Sequence, residues 1–106
     1  MLSSPLSPWR SVLSPQTALN LANTHLENAR KAKTSELALS FCNDAQTALA
    51  RIRTSVRKDL VSSVSAKDRA MRNEIASTYF EIGELLDNWK RHGKAQTCYK
   101  DSEKWG

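Results

Sequence analysis

The side chains with the most chemical potential in this sequence are two histidines and two cysteines. His25 and His92 lie far apart and have no Cys or acidic neighbours at metal-ligand spacing, so the sequence predicts no metal site. Cys42 and Cys98 belong to no CxxC motif and are predicted to be reduced and buried. There is no nucleophile elbow and no phosphate-binding Gly loop. We therefore expect no enzyme activity and no cofactor.

A basic segment in the middle of the chain is the strongest charge feature, and it accounts for the net charge of +5. Seven cations face only Asp59 and Asp68: Arg51, Arg53, Arg57, Lys58, Lys67, Arg69 and Arg72. This pattern indicates a possible anion-binding surface. The absence of aromatic residues for base stacking and of a recognition-helix motif argues against nucleic acid as its partner. A solvated connection is the alternative.

Length and composition favour one helical domain. The chain has 106 residues, 40% of them hydrophobic, with only three Gly and three Pro. Residues 1–14 are rich in Ser and Pro and are predicted to form a disordered arm before a helical domain at 15–106. No signal peptide and no membrane-spanning apolar run is recognisable, which predicts a location in the cytoplasm or nucleus.

Apolar residues recur at helical spacing in four stretches, which predicts an all-α fold of two antiparallel helical hairpins with long helices. The hairpins are expected at residues 15–60 and 65–106. The first helix should begin at Ser14-Pro15, because Ser caps free amides and Pro is tolerated at the first helical position. In the second helix the apolar stripe begins at Leu37 and runs to Ile52, and Val56 and Leu60 continue it, which predicts an unusually long helix.

Helix-start and helix-stop residues mark the second hairpin. Ser65 followed by Asp68 resembles a capping arrangement, which places the start of the third helix there. Gly93 predicts its end, because Gly readily takes the left-handed conformation that terminates helices. A fourth helix then continues through Trp105.

The second hairpin carries a recognisable packing motif. One helix has an aromatic residue, an apolar-Gly pair and a Leu, and the next has an Ala followed by an aromatic residue: Tyr79, Ile82-Gly83, Leu86, Ala95 and Tyr99. This spacing resembles the tetratricopeptide repeat (TPR). The small residues Gly83 and Ala95 are expected where two helices cross closely. The two hairpins align at an offset well above the roughly 34 residues of that repeat.

The resemblance implies a non-enzymatic adaptor or scaffold that binds a peptide or helix of a partner protein on a face lined by the first helix of each hairpin. The expected contact residues are exposed polar positions of those helices: Asn20, Asn23, Glu27, Arg30, Asn73, Ser77, Glu81 and Glu84. Two alternatives remain open. One is a basic helical module that binds nucleic acid or an acidic surface. The other is a pair of capping or dimerisation hairpins of a longer helical-repeat protein, which self-associates or continues into further repeats.

Overall fold

The computed structural model describes residues 14–105, and this part of the chain contains five α-helices and no β-strand. The helices are α1 (Pro15–Lys31), α2 (Ser35–Ala50), α3 (Thr54–Ser62), α4 (Ala66–Asn88) and α5 (His92–Trp105). The all-α prediction is confirmed, whereas the prediction of four helices is wrong by one. The predicted arm lies outside the described residues, apart from Ser14 at the start of α1.

Hydroxyl side chains cap three of the helices at their N-termini. Ser14 Oγ accepts a hydrogen bond from the Thr17 amide at 3.3 Å, with Pro15 in the first helical position. Thr34 caps α2 in the same way, and Ser65 Oγ accepts from the Asp68 amide at 3.5 Å. These caps supply acceptors for amides that have no partner within the helix, which is why the starts of α1 and α4 follow the sequence prediction.

The long second helix predicted to reach Leu60 is interrupted. α2 ends at Ala50, and a short turn leads into α3. A helix continuing from residue 50 to residue 60 would extend about 15 Å further in one direction. Instead, the turn allows both Ile52 and Leu60 to be buried in the common core. The β-branched and hydroxyl residues at the start of α3 have modest helix propensity, which makes a break there inexpensive.

The end of α4 also differs from the prediction. α4 ends before Gly93, and the residue with positive φ is Lys90, at 65°. The Arg91 amide donates to the Leu86 carbonyl at 2.8 Å and the Lys90 amide to the Asp87 carbonyl at 2.9 Å. This is the Schellman pattern of hydrogen bonds, built here without glycine. Gly93 lies inside α5 instead.

One hydrophobic core joins all five helices. α1 makes its most extensive contacts with α2, and α4 makes its most extensive contacts with α5. α4 also contacts α1, α2 and α3, so it is the element that connects the others. The buried stripe of α1 contains three alanines, Ala18, Ala22 and Ala29, which allow neighbouring backbones to approach closely. Leu37, which belongs to the predicted apolar stripe of α2, is instead 51% exposed.

The contact between α4 and α5 depends on the shape of Tyr99. A Cβ atom added at Gly83 would lie 2.6 Å from Cε1 of the Tyr99 ring, so a side chain at this position would collide with the ring. Ser102 Oγ donates to the Ala76 carbonyl of α4 at 2.8 Å, which ties the helices together one turn further along α5. Across residues 14–105, no helix is both long and apolar enough to cross a membrane.

Candidate functional site

The polar positions predicted for partner binding lie on α1 and α4, two helices that contact each other. Arg30 of α1 donates a hydrogen bond to Glu81 of α4 and thereby joins the two rows. Arg30 also lies 3.9 Å from Glu27, and Ser77 Oγ donates to Glu81 at 3.5 Å. Asn20 accepts from Gln16 at 3.1 Å. Much of this polar surface is therefore occupied by contacts within the chain.

The predicted anion-binding residues are distributed over the α2–α3 turn, α3 and the start of α4. Arg72 donates to the carbonyls of Leu60 and Val61 at 3.3 Å and 2.7 Å, so it caps the C-terminal end of α3. Arg69 donates to the Val64 carbonyl at 3.4 Å. The segment is thus a basic helical corner in which some guanidinium groups also hold the fold together.

A groove runs between α2, α4 and the start of α5, and it has a volume of about 450 Å³. Its lining residues come mainly from one face of α2, with one residue each from α4 and α5: Glu36, Leu39, Ser40, Cys42, Asn43, Gln46, Leu86 and Lys94. Between residues 36 and 46, α2 rises about 15 Å, the length of roughly four to five residues of extended peptide. Half-buried Leu39 supplies apolar surface, and Leu86, which is 1% exposed, lies beneath it.

The polar side chains of the groove are notable for having few partners. Within residues 14–105, Glu36 and Lys94 form no ion pair, and the side chains of Ser40 and Asn43 form no hydrogen bond. Gln46 uses its amide nitrogen to donate to the Cys98 sulfur, which leaves its oxygen as an acceptor. The groove therefore combines apolar surface with donors, acceptors and one charge of each sign.

Two thiols lie beside this groove in the buried core. Burial raises the pKa of Cys42 to about 11 and that of Cys98 to about 12, although the hydrogen bond from Gln46 acts in the opposite direction on Cys98. Both thiols are consequently neutral at physiological pH. Because the thiolate is the nucleophile, neither is suited to nucleophilic chemistry. Both are free and buried, as the sequence predicts.

A cluster of ionisable groups connects the end of α4 to α5. The Asp87 carboxylate accepts a hydrogen bond from the Tyr99 hydroxyl at 2.6 Å and lies 2.7 Å from His92 Nδ1. The Tyr99 bond, and after it the His92 bond, hold the pKa of Asp87 below its usual value. The same bond raises the pKa of Tyr99 to about 12. These contacts fasten the turn that carries Lys90.

The groove is not evident from the sequence. Glu36, Ser40 and Asn43 occur on the polar side of α2, where the sequence indicates only a solvated face. The groove exists because α5 begins beside that face of α2. Lys94 lies in the first turn of α5, just after Gly93, where the sequence predicts a helix end. The groove could be predicted only if the arrangement of α2, α4 and α5 in space were already known.

Comparisons with models of known protein families, with curated proteins and with solved structures found no match.

Proposed function

We propose that this chain is a non-enzymatic protein-interaction module that binds a short peptide segment of a partner protein in the groove between α2, α4 and α5. The observation that carries this proposal is the set of polar side chains without partners around apolar surface. Half-buried Leu39 provides an anchor point, and polar groups beside an anchor provide specificity. On the α1–α4 surface, by contrast, several of the polar groups already satisfy one another.

The side chains at the groove match the needs of a peptide backbone. The Asn43 amide supplies two donors and an acceptor, and the Gln46 oxygen supplies a further acceptor. Amides along an extended peptide offer the complementary groups. An apolar side chain of the peptide would cover Leu39, while Glu36 and Lys94 favour a ligand that carries charges of both signs.

The TPR-like architecture is part of this proposal. We infer that α1–α2 and α4–α5 form two antiparallel hairpins and that α3 is an insertion between them. An inserted helix accounts for the long offset between the hairpins. The close contact of Gly83 with Tyr99 supports the resemblance, because it is the kind of small-to-large packing that the motif requires. We expect such a module to act in the cytoplasm or nucleus.

The proposal is tested by selecting peptides from a random display library on the folded chain and measuring their affinities by calorimetry. Ser40→Trp places a large side chain at the exposed edge of the groove, and we expect it to weaken binding at least about tenfold. Asn23→Trp makes the same kind of change on exposed α1 and should alter affinity less than about twofold. Circular dichroism verifies that both variants are folded.

The reverse pattern, loss with Asn23→Trp and retention with Ser40→Trp, would assign binding to the α1–α4 surface and reject the groove. Failure to enrich any peptide that binds the folded chain would reject peptide binding as the function.

A structural role is a second candidate, and exposed Phe80 favours it. Phe80 is 47% exposed and packs against the Tyr99 ring, with 5.2 Å between ring centroids. An aromatic pair on the outer side of α4 and α5 is suited to packing against a further helix or another copy. Sedimentation equilibrium tests packing against another copy of the chain. Phe80→Ser should abolish any increase of mass with concentration that the native chain shows. A constant monomer mass for the native chain would contradict it.

A further inference from the structure

The whole net charge of this protein originates in one part of the fold. The chain has 16 Lys and Arg residues and 11 Asp and Glu residues. Seven of those cations and two of those acids lie between residues 51 and 72, which leaves nine of each elsewhere. This stretch comprises the α2–α3 turn, α3, the α3–α4 turn and the start of α4. We call it the basic corner.

Six cations of the basic corner form no ion pair among residues 14–105: Arg53, Arg57, Lys58, Lys67, Arg69 and Arg72. Arg72 and Arg69 donate to backbone carbonyls, and a carbonyl contributes no negative charge. Arg53, Lys58 and Lys67 are exposed, and they form no ion pair among residues 14–105. The corner therefore presents several cations to solvent.

Aliphatic side chains stand exposed in the same corner. Val64, in the turn between α3 and α4, is 86% exposed, and Val61 at the end of α3 is 42% exposed. Arg69 and Arg72 contact the carbonyls of these two residues, so apolar and cationic groups are direct neighbours. A single exposed aliphatic side chain is ordinary on a protein surface. Here two of them lie among cations that form no ion pair.

We propose that the basic corner docks on the surface of an anionic phospholipid membrane. Lys58, Lys67 and Arg53 attract the headgroup phosphates, and Val64 and Val61 enter the boundary between headgroups and acyl chains. The protein lies on the membrane in this arrangement and does not span it. The basic corner shares no residue with the groove on α2, so the two sites can be tested separately.

The exposed valines favour lipid over nucleic acid. Phosphate groups of both partners attract cations, but nucleic acid offers no apolar phase for an aliphatic side chain in a turn. Binding of single strands commonly uses aromatic stacking platforms, and the basic corner contains no aromatic residue. The combination of cations with valines, rather than the charge alone, identifies the partner.

The test is co-sedimentation of the full chain with phosphatidylcholine vesicles that contain either no anionic lipid or about 30% phosphatidylserine, in about 0.1 M salt. We expect binding only to the anionic vesicles. Each cation at such a surface contributes about fivefold to the partition coefficient, so Lys58→Glu with Lys67→Glu should reduce it at least about 25-fold. The matched control, Lys33→Glu with Lys100→Glu, changes net charge equally at exposed sites elsewhere and should have a much smaller effect.

Val64→Ser separates the two classes of partner. At an exposed turn position it leaves the fold intact, and we expect it to reduce vesicle binding severalfold while leaving weak binding to a fluorescent oligonucleotide unchanged. Absence of binding to anionic vesicles overturns the proposal. So does an oligonucleotide affinity that exceeds vesicle affinity and responds to the Lys58→Glu and Lys67→Glu variant but not to Val64→Ser.

Discussion

Tyr99 connects several features of the contact between α4 and α5. Its ring lies against backbone at Gly83 and against Phe80, and its hydroxyl donates to Asp87. The requirement for glycine on α4 thus follows from the size of one aromatic side chain on α5. The sequence motif predicted a close crossing with Ala95 as the other small residue, and the structure identifies the Tyr99 ring as the group that Gly83 accommodates.

Gly83→Ala is expected to destabilise the protein by up to about 2 kcal/mol. Alanine improves helix propensity by about 1 kcal/mol, but its methyl group collides with the Tyr99 ring, and overpacking of this kind costs about 1–3 kcal/mol. Urea denaturation followed by circular dichroism measures the change. In a Tyr99→Ala background the ring is absent, so Gly83→Ala should become stabilising. The same sign in both backgrounds would contradict this account of the crossing.

The Asp87 carboxylate should make stability depend on pH in the acidic range. Because hydrogen bonds from Tyr99 and His92 hold its pKa below the unfolded value near 4, its contribution is present above that value. The contribution is lost as the pH falls through the lower pKa of the folded state. Urea midpoints measured from about pH 6 to pH 2 should therefore show the native chain and Asp87→Asn converging at low pH. Asp44→Asn, at an exposed position on α2, is the control, and convergence there to the same extent would contradict the prediction.

At the scale of elements, the apolar periodicity of the sequence predicts where the helices lie, but it gives the wrong ends for α2 and α4. The buried stripes of α1 and α4 follow the apolar pattern closely, because a continuous stripe has one way to face a core. The sequence has no Gly or Pro at the break between α2 and α3 that would predict it. The break arises because Ile52 and Leu60 reach the core only if the chain turns. The sequence predicts that α4 ends at Gly93. In the structure the hydrogen bonds of the last carbonyls of α4 place Lys90 in the left-handed conformation instead.

Lys90→Gly should stabilise the protein by about 0.5–1 kcal/mol. A left-handed conformation is unfavourable for a residue with a Cβ, and glycine removes that cost where the turn requires positive φ. The gain is visible as a higher urea midpoint. Lys100→Gly, at an exposed position within α5, is the matched control and should destabilise by about 1 kcal/mol. Equal losses for both substitutions would show that the turn at Lys90 does not require the left-handed conformation.

Arg72→Met should loosen α3 selectively. The substitution preserves much of the apolar stem and removes the donors that satisfy the carbonyls of Leu60 and Val61. Hydrogen exchange measured by mass spectrometry should show faster exchange in α3, with little change in α1. Arg69→Met removes a single longer contact and should have a smaller effect. Uniform acceleration over the whole chain would instead assign Arg72 to the global core.

At the scale of the whole molecule, the sequence predicted the helical class and much of the core, but not the groove. The stripes report which residues of one helix are buried. The groove depends on how α2, α4 and α5 are placed relative to one another, and its polar residues look like ordinary surface in the sequence. The polar positions predicted on α1 and α4 do lie close together, because Arg30 of α1 donates to Glu81 of α4. That contact also occupies part of the predicted binding surface.

The central claim is that a bound peptide occupies the groove on α2. The most direct measurement is a titration of the isotope-labelled chain with a selected peptide, followed by two-dimensional amide NMR. We predict that the largest shifts occur at Ser40, Asn43 and Lys94, including the side-chain amide of Asn43. Shifts concentrated at Asn23 and Ser77, with the groove unchanged, would contradict the claim.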